Sequence, residues 1–315
     1  MDAQELLKDV GDVEKTIEKR KDKIINWIKK PHNLLFTLIL IFALAIRLYY
    51  FVMTQNQPLW WDAGEYMGMA RAWAFGLEYE FLPVRAVLLS VITALFLKIA
   101  PNEFLPRLFI LFMSMASIIG VYFFAKEIFN KKVALLSSFL MSIFYVNLFY
   151  SFRILIELPS LTFFTFSAFF FYRYFKNNSK KSLYLGAALI AIGTLFKLPT
   201  ATLLFCILIY LLITERLSFI KKKEMWIAAL IFILILSPYI IWGYMQFGGF
   251  VITQAGGWNP AKEGEFLGNG YSNLVQYAKM MPGLFSWPLL IFFILGFISL
   301  YKIFLGFDIL VKGKI

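Results

Sequence analysis

The sequence predicts an all-α integral membrane protein, a polytopic bundle of about eight helical spans. Hydrophobic residues fill 60 % of the 315 positions and charged residues only 16 %, where a soluble domain holds about 45–50 % and about 25 %. Several apolar runs approach the roughly 20 residues that a helix needs to cross a bilayer. A spanning barrel would show short segments of alternating polarity, and the sequence has none. The net charge is +12, which in a soluble protein would point to nucleic acid. Here the basic residues sit between apolar runs, as the bias of Lys and Arg toward cytoplasmic loops requires. The expected partner is therefore the lipid bilayer and not nucleic acid. The single cysteine, Cys206, lies in an apolar run and His32 stands alone at a membrane edge, so no disulfide, thiol or metal site is expected at either.

Residues 1–32 read as a cytoplasmic amphipathic segment. Leu6, Leu7, Val10, Val13, Ile17, Ile24 and Ile28 recur at near-helical spacing among charges of both signs. The transmembrane domain is expected over 33–315, beginning with a span from Leu34 to Met53. Arg47 lies in the outer third of that span, either snorkelling or facing a site. The run Val84 to Ala100 looks like a second span, but its apolar core, Ala86 to Leu97, covers only about 18 Å of the roughly 30 Å of hydrocarbon. If it crossed, the basic loops Lys126–Lys132, Arg173–Lys181 and Arg216–Lys223 would fall on different sides of the membrane. If it lies in the interface, they share the side of the N-terminal segment, with 22 Lys and Arg cytoplasmic and 8 external. That asymmetry favours the interface. Residues 54–105 then form one external loop carrying two interfacial helices, about 62–77 and 84–99.

The other spans follow as Leu108–Ala125, Val133–Phe152, Pro159–Tyr174, Ser182–Phe196, Leu198–Ile213, Met225–Gly243 and Leu284–Leu305. The loop 244–283 is external and both termini are cytoplasmic. No period of 20–50 residues repeats. The glycosylation triplet Asn177-Asn178-Ser179 falls on the inside.

This topology gathers a few charges at the outer mouths of the helices: Asp62, Glu65, Arg85, Arg107, Arg153, Glu157 and Lys197. Charges at a membrane are costly without a task or a partner. Each has a structural alternative. Asp62 and Glu65 are spaced as a capping box, Arg153 and Glu157 as an i,i+4 ion pair, Lys197 as an interfacial anchor and Arg107 as a span flank. The chemical reading is transfer of a group from a lipid phosphate to a hydroxyl. A carboxylate, Asp62, takes the proton of the attacking hydroxyl. Cations, Arg153 and Lys197 first and Arg85 and Arg107 after them, hold the departing phosphate. Glu157 orients substrate or cations, and Glu65 and Tyr66 are expected on the substrate side. No cofactor is required, although Asp62 and Glu157 have the chemistry to share a divalent cation.

In order and spacing these stretches resemble the dolichyl-phosphate-mannose protein mannosyltransferase superfamily and its bacterial aminoarabinose-transferase relatives, the GT-C glycosyltransferases. Leu59 to Tyr66, with the small-residue helix that runs on to Gly76, resembles the acidic motif of that family's first external loop. Arg153 through Glu157 and Pro159 resembles its second motif, and Gly193 to Lys197 its Leu-Thr-Lys segment. Ser237-Pro238-Tyr239 with Gly248 and Phe250, then Gln276-Tyr277 through Pro282 and Pro288, resembles the helix and external loop that follow. The resemblance covers nearly all of the chain after residue 33. It implies an inverting transfer of one sugar from a polyprenyl (dolichyl) phosphate donor to a hydroxyl acceptor on a protein, lipid or glycan. It also implies a GT-C-like bundle with two interfacial helices in the first external loop, acting on the extracytoplasmic face of the cell membrane. The chain departs from the pattern where Ala63 follows Asp62 in place of a second acid, and where Pro83 stands for the usual proline pair. Family members carry more spans, so a missing C-terminal portion or a partner subunit is expected. The alternatives are a non-catalytic polyprenyl-phosphate-binding or flippase-type protein, which would not need Asp62, and a secondary transporter, which would show internal repeats.

Overall fold

The computed structural model describes residues 25–81 and 86–248, with a few isolated positions outside these ranges. Among the described residues every regular element is helical. The segment up to residue 18, Arg85, most of the loop 244–283 and most of the expected span Leu284 to Leu305 lie outside the described residues. Helix α1 is Pro31–Thr54, opened by a proline at its first position, where no hydrogen bond is lost. Short helices α2, Ala63–Phe75, and α3, Leu88–Ile99, pair with each other. Then come α4, Phe104–Ile128; α5, Lys131–Ile143; α6, Tyr145–Tyr150; α7, Glu157–Asn177; and α8, Lys180–Phe196. A 3₁₀ turn over Leu198–Ala201 leads into α9, Thr202–Thr214, and α10 is Lys223–Phe247. The tightest packing joins α7 to α8, α4 to α7, α8 to α10 and α4 to α5.

Three of these helices, α1, α4 and α10, are long and apolar enough to cross a membrane. At 1.5 Å per residue they reach about 36–38 Å, beyond the hydrocarbon thickness of about 30 Å. The others fall short in length or in apolarity. The expected span Val133 to Phe152 is two pieces, broken at Phe144, whose ψ of 117° is extended. The expected span from Leu198 opens as a 3₁₀ turn at Pro199. Helix α7 has the length but carries Ser160, Thr162, Thr165, Ser167, Arg173 and Lys176. Expected helix 62–77 is found as α2, ended at Phe75 because Gly76 takes a left-handed φ of 70°. Expected helix 84–99 is found as α3, about 18 Å long.

Burial is inverted relative to a soluble bundle. Arg47, Asn147, Ser90, Ser114, Ser117 and Ser138 are almost fully buried, while Val52, Leu95, Phe112, Leu136 and Ile213 are more than half exposed. Water would penalise both arrangements; hydrocarbon penalises neither, because it satisfies apolar surface and forces polar groups inward.

The connections sort to two ends. At one, Lys176 Nζ meets Glu127 Oε1 at 3.2 Å and Lys180 Nζ meets Glu224 Oε2 at 3.6 Å, so the three basic loops lie together. The start of α1 joins them, where Phe36 stacks on Tyr122. At the other end Arg107, in the first turn of α4, donates to the carbonyls of Thr54 and Gln57 just past α1. The stretch holding α2 and α3 therefore returns the chain to the end it left.

Candidate active site

At the end opposite the basic loops, three stretches singled out in the sequence share one apolar core. Ala63, Tyr66 and Met67 of α2 pack with Ile154, Leu155, Ile156 and Leu158 of the turn before and into α7, and with Phe196 at the end of α8. Two side-chain links fasten α7 to the end of α8. Lys197 Nζ meets Glu157 Oε1 at 3.3 Å, and the hydroxyls of Ser160 and Thr200 lie 2.7 Å apart. The close approach requires glycine at 193. A Cβ there would stand 2.7 Å from Thr200 Cγ2 and 3.0 Å from Phe163 Cβ.

The capping box that the spacing of Asp62 and Glu65 would allow is not made. The Asp62 side chain forms no cap hydrogen bond to α2, although its carbonyl accepts from Tyr66 N–H. Glu65 Oε2 instead accepts from the Tyr79 hydroxyl at 2.7 Å. Tyr79 leads into an aromatic wall, in which Phe81 and Trp73 pack against Trp242 of α10. Tyr66 is 2 % exposed, its ring part of the core rather than of any surface. Trp61 holds a φ of 47° just ahead of Asp62 and is 80 % exposed.

The i,i+4 pair of Arg153 and Glu157 is not made either, because residues 151–156 form a turn and not a helix. Glu157 pairs with Lys197, and its other oxygen, Oε2, is buried without a hydrogen-bond partner among the described residues. Arg153 has no carboxylate partner among the described residues. Its guanidinium lies 3.7 Å from the centroid of Phe149 and 5.6 Å from that of Trp60, and donates to the Phe149 carbonyl. Burial and then the charge of Arg107 lower its pKa from the ordinary arginine value, and Tyr150 acts in the opposite direction. Arg153 and Trp60 line a cavity of about 230 Å³ with Gln57, Pro58, Ala63, Arg107 and Phe152.

Arg107 faces the same cavity but is 5 % exposed and its donors are spent. A guanidinium has five N–H groups. Nε and Nη2 bind Glu103 Oε2 at 3.1 and 2.6 Å, Nη2 also reaches Gln57 O at 2.8 Å, and Nη1 reaches Thr54 O and Phe152 O at 3.5 and 3.4 Å. Arg107 is thus a clamp that joins the end of α1, the start of α4 and the turn carrying Arg153. Arg85, the other arginine singled out, lies outside the described residues. Sequence reasoning missed the partner of Arg47, which is neither snorkelling nor at the cavity. It is 0 % exposed and bound to Ser114 and Asn147. Among the described residues no three His, Cys, Asp or Glu side chains cluster as a metal cage would. An ion shared by Asp62 and Glu157 would need phosphate or water oxygens as further ligands.

The arrangement offers a cation stacked on aromatic rings with no carboxylate partner among the described residues, a lysine–glutamate pair and an acidic loop, on stretches that share one apolar core. Residues 83–242, just over half of the chain, match the family model described as dolichyl-phosphate-mannose-protein mannosyltransferase. The matched range includes Arg107, Arg153, Glu157 and Lys197 and begins after Asp62 and Glu65. The class is that of GT-C-type, mannosyltransferase-like glycosyltransferases embedded in the membrane. The chain belongs to the dolichyl-phosphate-mannose-protein mannosyltransferase family, which implies a polyprenyl-phosphate sugar donor and a hydroxyl acceptor. Comparison with curated proteins gave no match, and neither did comparison with solved structures.

Proposed function

We propose that the protein transfers one sugar, with inversion, from a polyprenyl phosphate to a hydroxyl of a protein, lipid or glycan at the extracytoplasmic face of the membrane. The observation that carries this reading is Arg153, a cation that has no carboxylate partner among the described residues and lines a cavity with Trp60 and Ala63, which flank the stretch holding Asp62. Asp62 takes the proton of the acceptor hydroxyl as its oxygen attacks the anomeric carbon. The bond from that carbon to the phosphate oxygen breaks, and the phosphate leaves with the electron pair. Arg153 grips it with a planar fork and Lys197 adds a point charge. Glu157 holds Lys197 in place at 3.3 Å and orients it. Preorganised cations in a water-poor cleft are a large term in such catalysis, and a monophosphate leaving group needs no metal beyond them. Glu65, tied to Tyr79, shapes the substrate side.

The topology that goes with this reading has eight spans. Seven fall in the described range: α1, α4, the broken pair α5–α6, α7, α8, α9 with its 3₁₀ turn, and α10. The eighth is Leu284 to Leu305. Helices α2 and α3 lie in the interface. Supporting this, the basic loops share one end and α3 is too short to cross. The test is transfer in membranes supplied with labelled polyprenyl-phosphate sugars. Wild type is expected to transfer sugar and to give a product of inverted anomeric configuration. Tight binding of polyprenyl phosphate with no transfer to any acceptor would refute the enzyme and leave a lipid-handling protein.

A further inference from the structure

The most expensive group in the bundle is one that the proposed chemistry does not use. Arg47 sits within the long apolar helix α1 and is completely buried. Among the described residues no carboxylate pairs with it; its hydrogen bonds go to neutral acceptors. Nε donates to Ser114 Oγ at 2.7 Å and Nη2 to Asn147 Oδ1 at 2.6 Å. Nη1 donates to the carbonyls of Ala43 at 3.1 Å and Ser142 at 3.0 Å. A buried cation without a counter-ion is retained only where it does something that an apolar residue cannot.

Its acceptors show what that is. The helix that leads to Arg153 is broken at Phe144, and the break frees carbonyls in the last turn of α5. Arg47 caps one of them, that of Ser142, and at the same time grips Asn147 on the far side of the break. Asn147 extends the grip. Its Oδ1 also accepts from Ser114, its Nδ2 donates to Ser117 at 3.1 Å, and its carbonyl accepts from Ser151 at 2.6 Å. Two residues past Asn147 stands Phe149, whose ring and carbonyl both hold the Arg153 guanidinium. An unbroken line of contacts therefore runs from α1, through the broken helix, to the cation in the cavity.

We infer that Arg47 is a positioning residue for the phosphate grip. Its fork fixes the register of α6 against α1 and α4, and α6 fixes Arg153. The inference rests on the reading of Arg153 as a phosphate ligand. Charge alone would not serve, because a lysine ammonium cannot span acceptors on both sides of the break as a planar fork does.

The experiment measures binding of labelled polyprenyl phosphate, without sugar, to the full-length protein in lipid nanodiscs. The proteins are wild type, Arg47→Lys, Asn147→Ala, Arg153→Met and the double variant Arg47→Lys/Arg153→Met. Arg153→Met is expected to weaken binding about tenfold, and Arg47→Lys and Asn147→Ala about three- to tenfold each, while the double variant binds no worse than Arg153→Met. Asn147→Ala carries the test alone if Arg47→Lys does not fold. Wild-type binding by Arg47→Lys or Asn147→Ala would overturn the inference. So would losses that multiply in the double variant, since a residue acting only on overall stability does not need Arg153. Wild type that binds the lipid phosphate but transfers no sugar would refute the enzyme and leave this coupling measurable. Wild type that does not bind it would overturn both.

Discussion

Gly193→Ala should loosen the site without touching a charged group. The new Cβ would stand 2.7 Å from Thr200 Cγ2 and 3.0 Å from Phe163 Cβ, on two different elements. Thr200 cannot swing aside cheaply, because it is 3 % exposed and its hydroxyl lies 2.7 Å from that of Ser160. Overpacking of this kind costs about 1–3 kcal/mol. The gain in helix propensity from Gly to Ala offsets up to about 1 kcal/mol of it, leaving about 1–2 kcal/mol. In a bundle of this size that lowers the thermal midpoint by about 1.5–3 °C. The Lys197 N–H is bonded to the Gly193 carbonyl at 2.9 Å, so the displacement carries to Lys197 and its 3.3 Å contact with Glu157. Donor KM should rise with it. The assay is thermal unfolding in detergent together with donor titration. Adding Thr200→Ser removes Cγ2 but keeps the hydroxyl, and should recover at least half of both losses. A Gly193→Ala protein as stable as wild type, or one indifferent to Thr200→Ser, would refute the reasoning.

Other outcomes follow from single contacts. Arg107→Ala strands Glu103 and three carbonyls. Its cost is about 2–4 kcal/mol in chemical unfolding, below the about 3–5 kcal/mol of a fully buried pair because Glu103 is 30 % exposed. Tyr79→Phe removes the 2.7 Å donor to Glu65 and should cost about 1 kcal/mol, read from the same unfolding curves. The Lys222 ammonium is raised above its ordinary value of 10.5, first by its hydrogen bond to Glu215. The stability it contributes is therefore complete below about pH 10 and lost as pH climbs through the raised value. The difference in thermal midpoint between wild type and Lys222→Met should be constant from pH 7 to about pH 10 and shrink only as pH climbs through the raised value.

Uninterrupted apolar runs made α1, α4 and α10 legible, and the short apolar core after residue 84 made a short helix, α3, legible. Gly76 marked the end of α2 because only a left-handed residue suits that cap. The break at Phe144 was not legible. No proline or glycine stands there, and the donor that makes it tolerable is Arg47 of α1, held in place by Ser114 of α4. The alternative of an Arg153–Glu157 pair fails for a related reason. Spacing of four brings two side chains together only within a helix, and the turn before Glu157 opens that spacing so that Lys197, forty residues on, takes the acid. Arg107, read as a weaker phosphate ligand or a span flank, has an i,i+4 partner in Glu103 that the spacing could have shown, whereas the backbone carbonyls that take its other donors are not displayed by a sequence. Apolar neighbours of the residues singled out do meet in one core: Ala63 beside Asp62, Ile154 beside Arg153 and Phe196 beside Lys197.

The central claim is that Asp62 is the base of a sugar transfer, and transfer by Asp62→Asn membranes tests it most directly. With labelled polyprenyl-phosphate sugar, wild type should transfer. Asp62→Asn should bind the donor normally and lose about 10²- to 10⁴-fold in rate, the range that a positioned general base supplies. Equal rates in the two proteins would contradict the account and remove Asp62 from the mechanism.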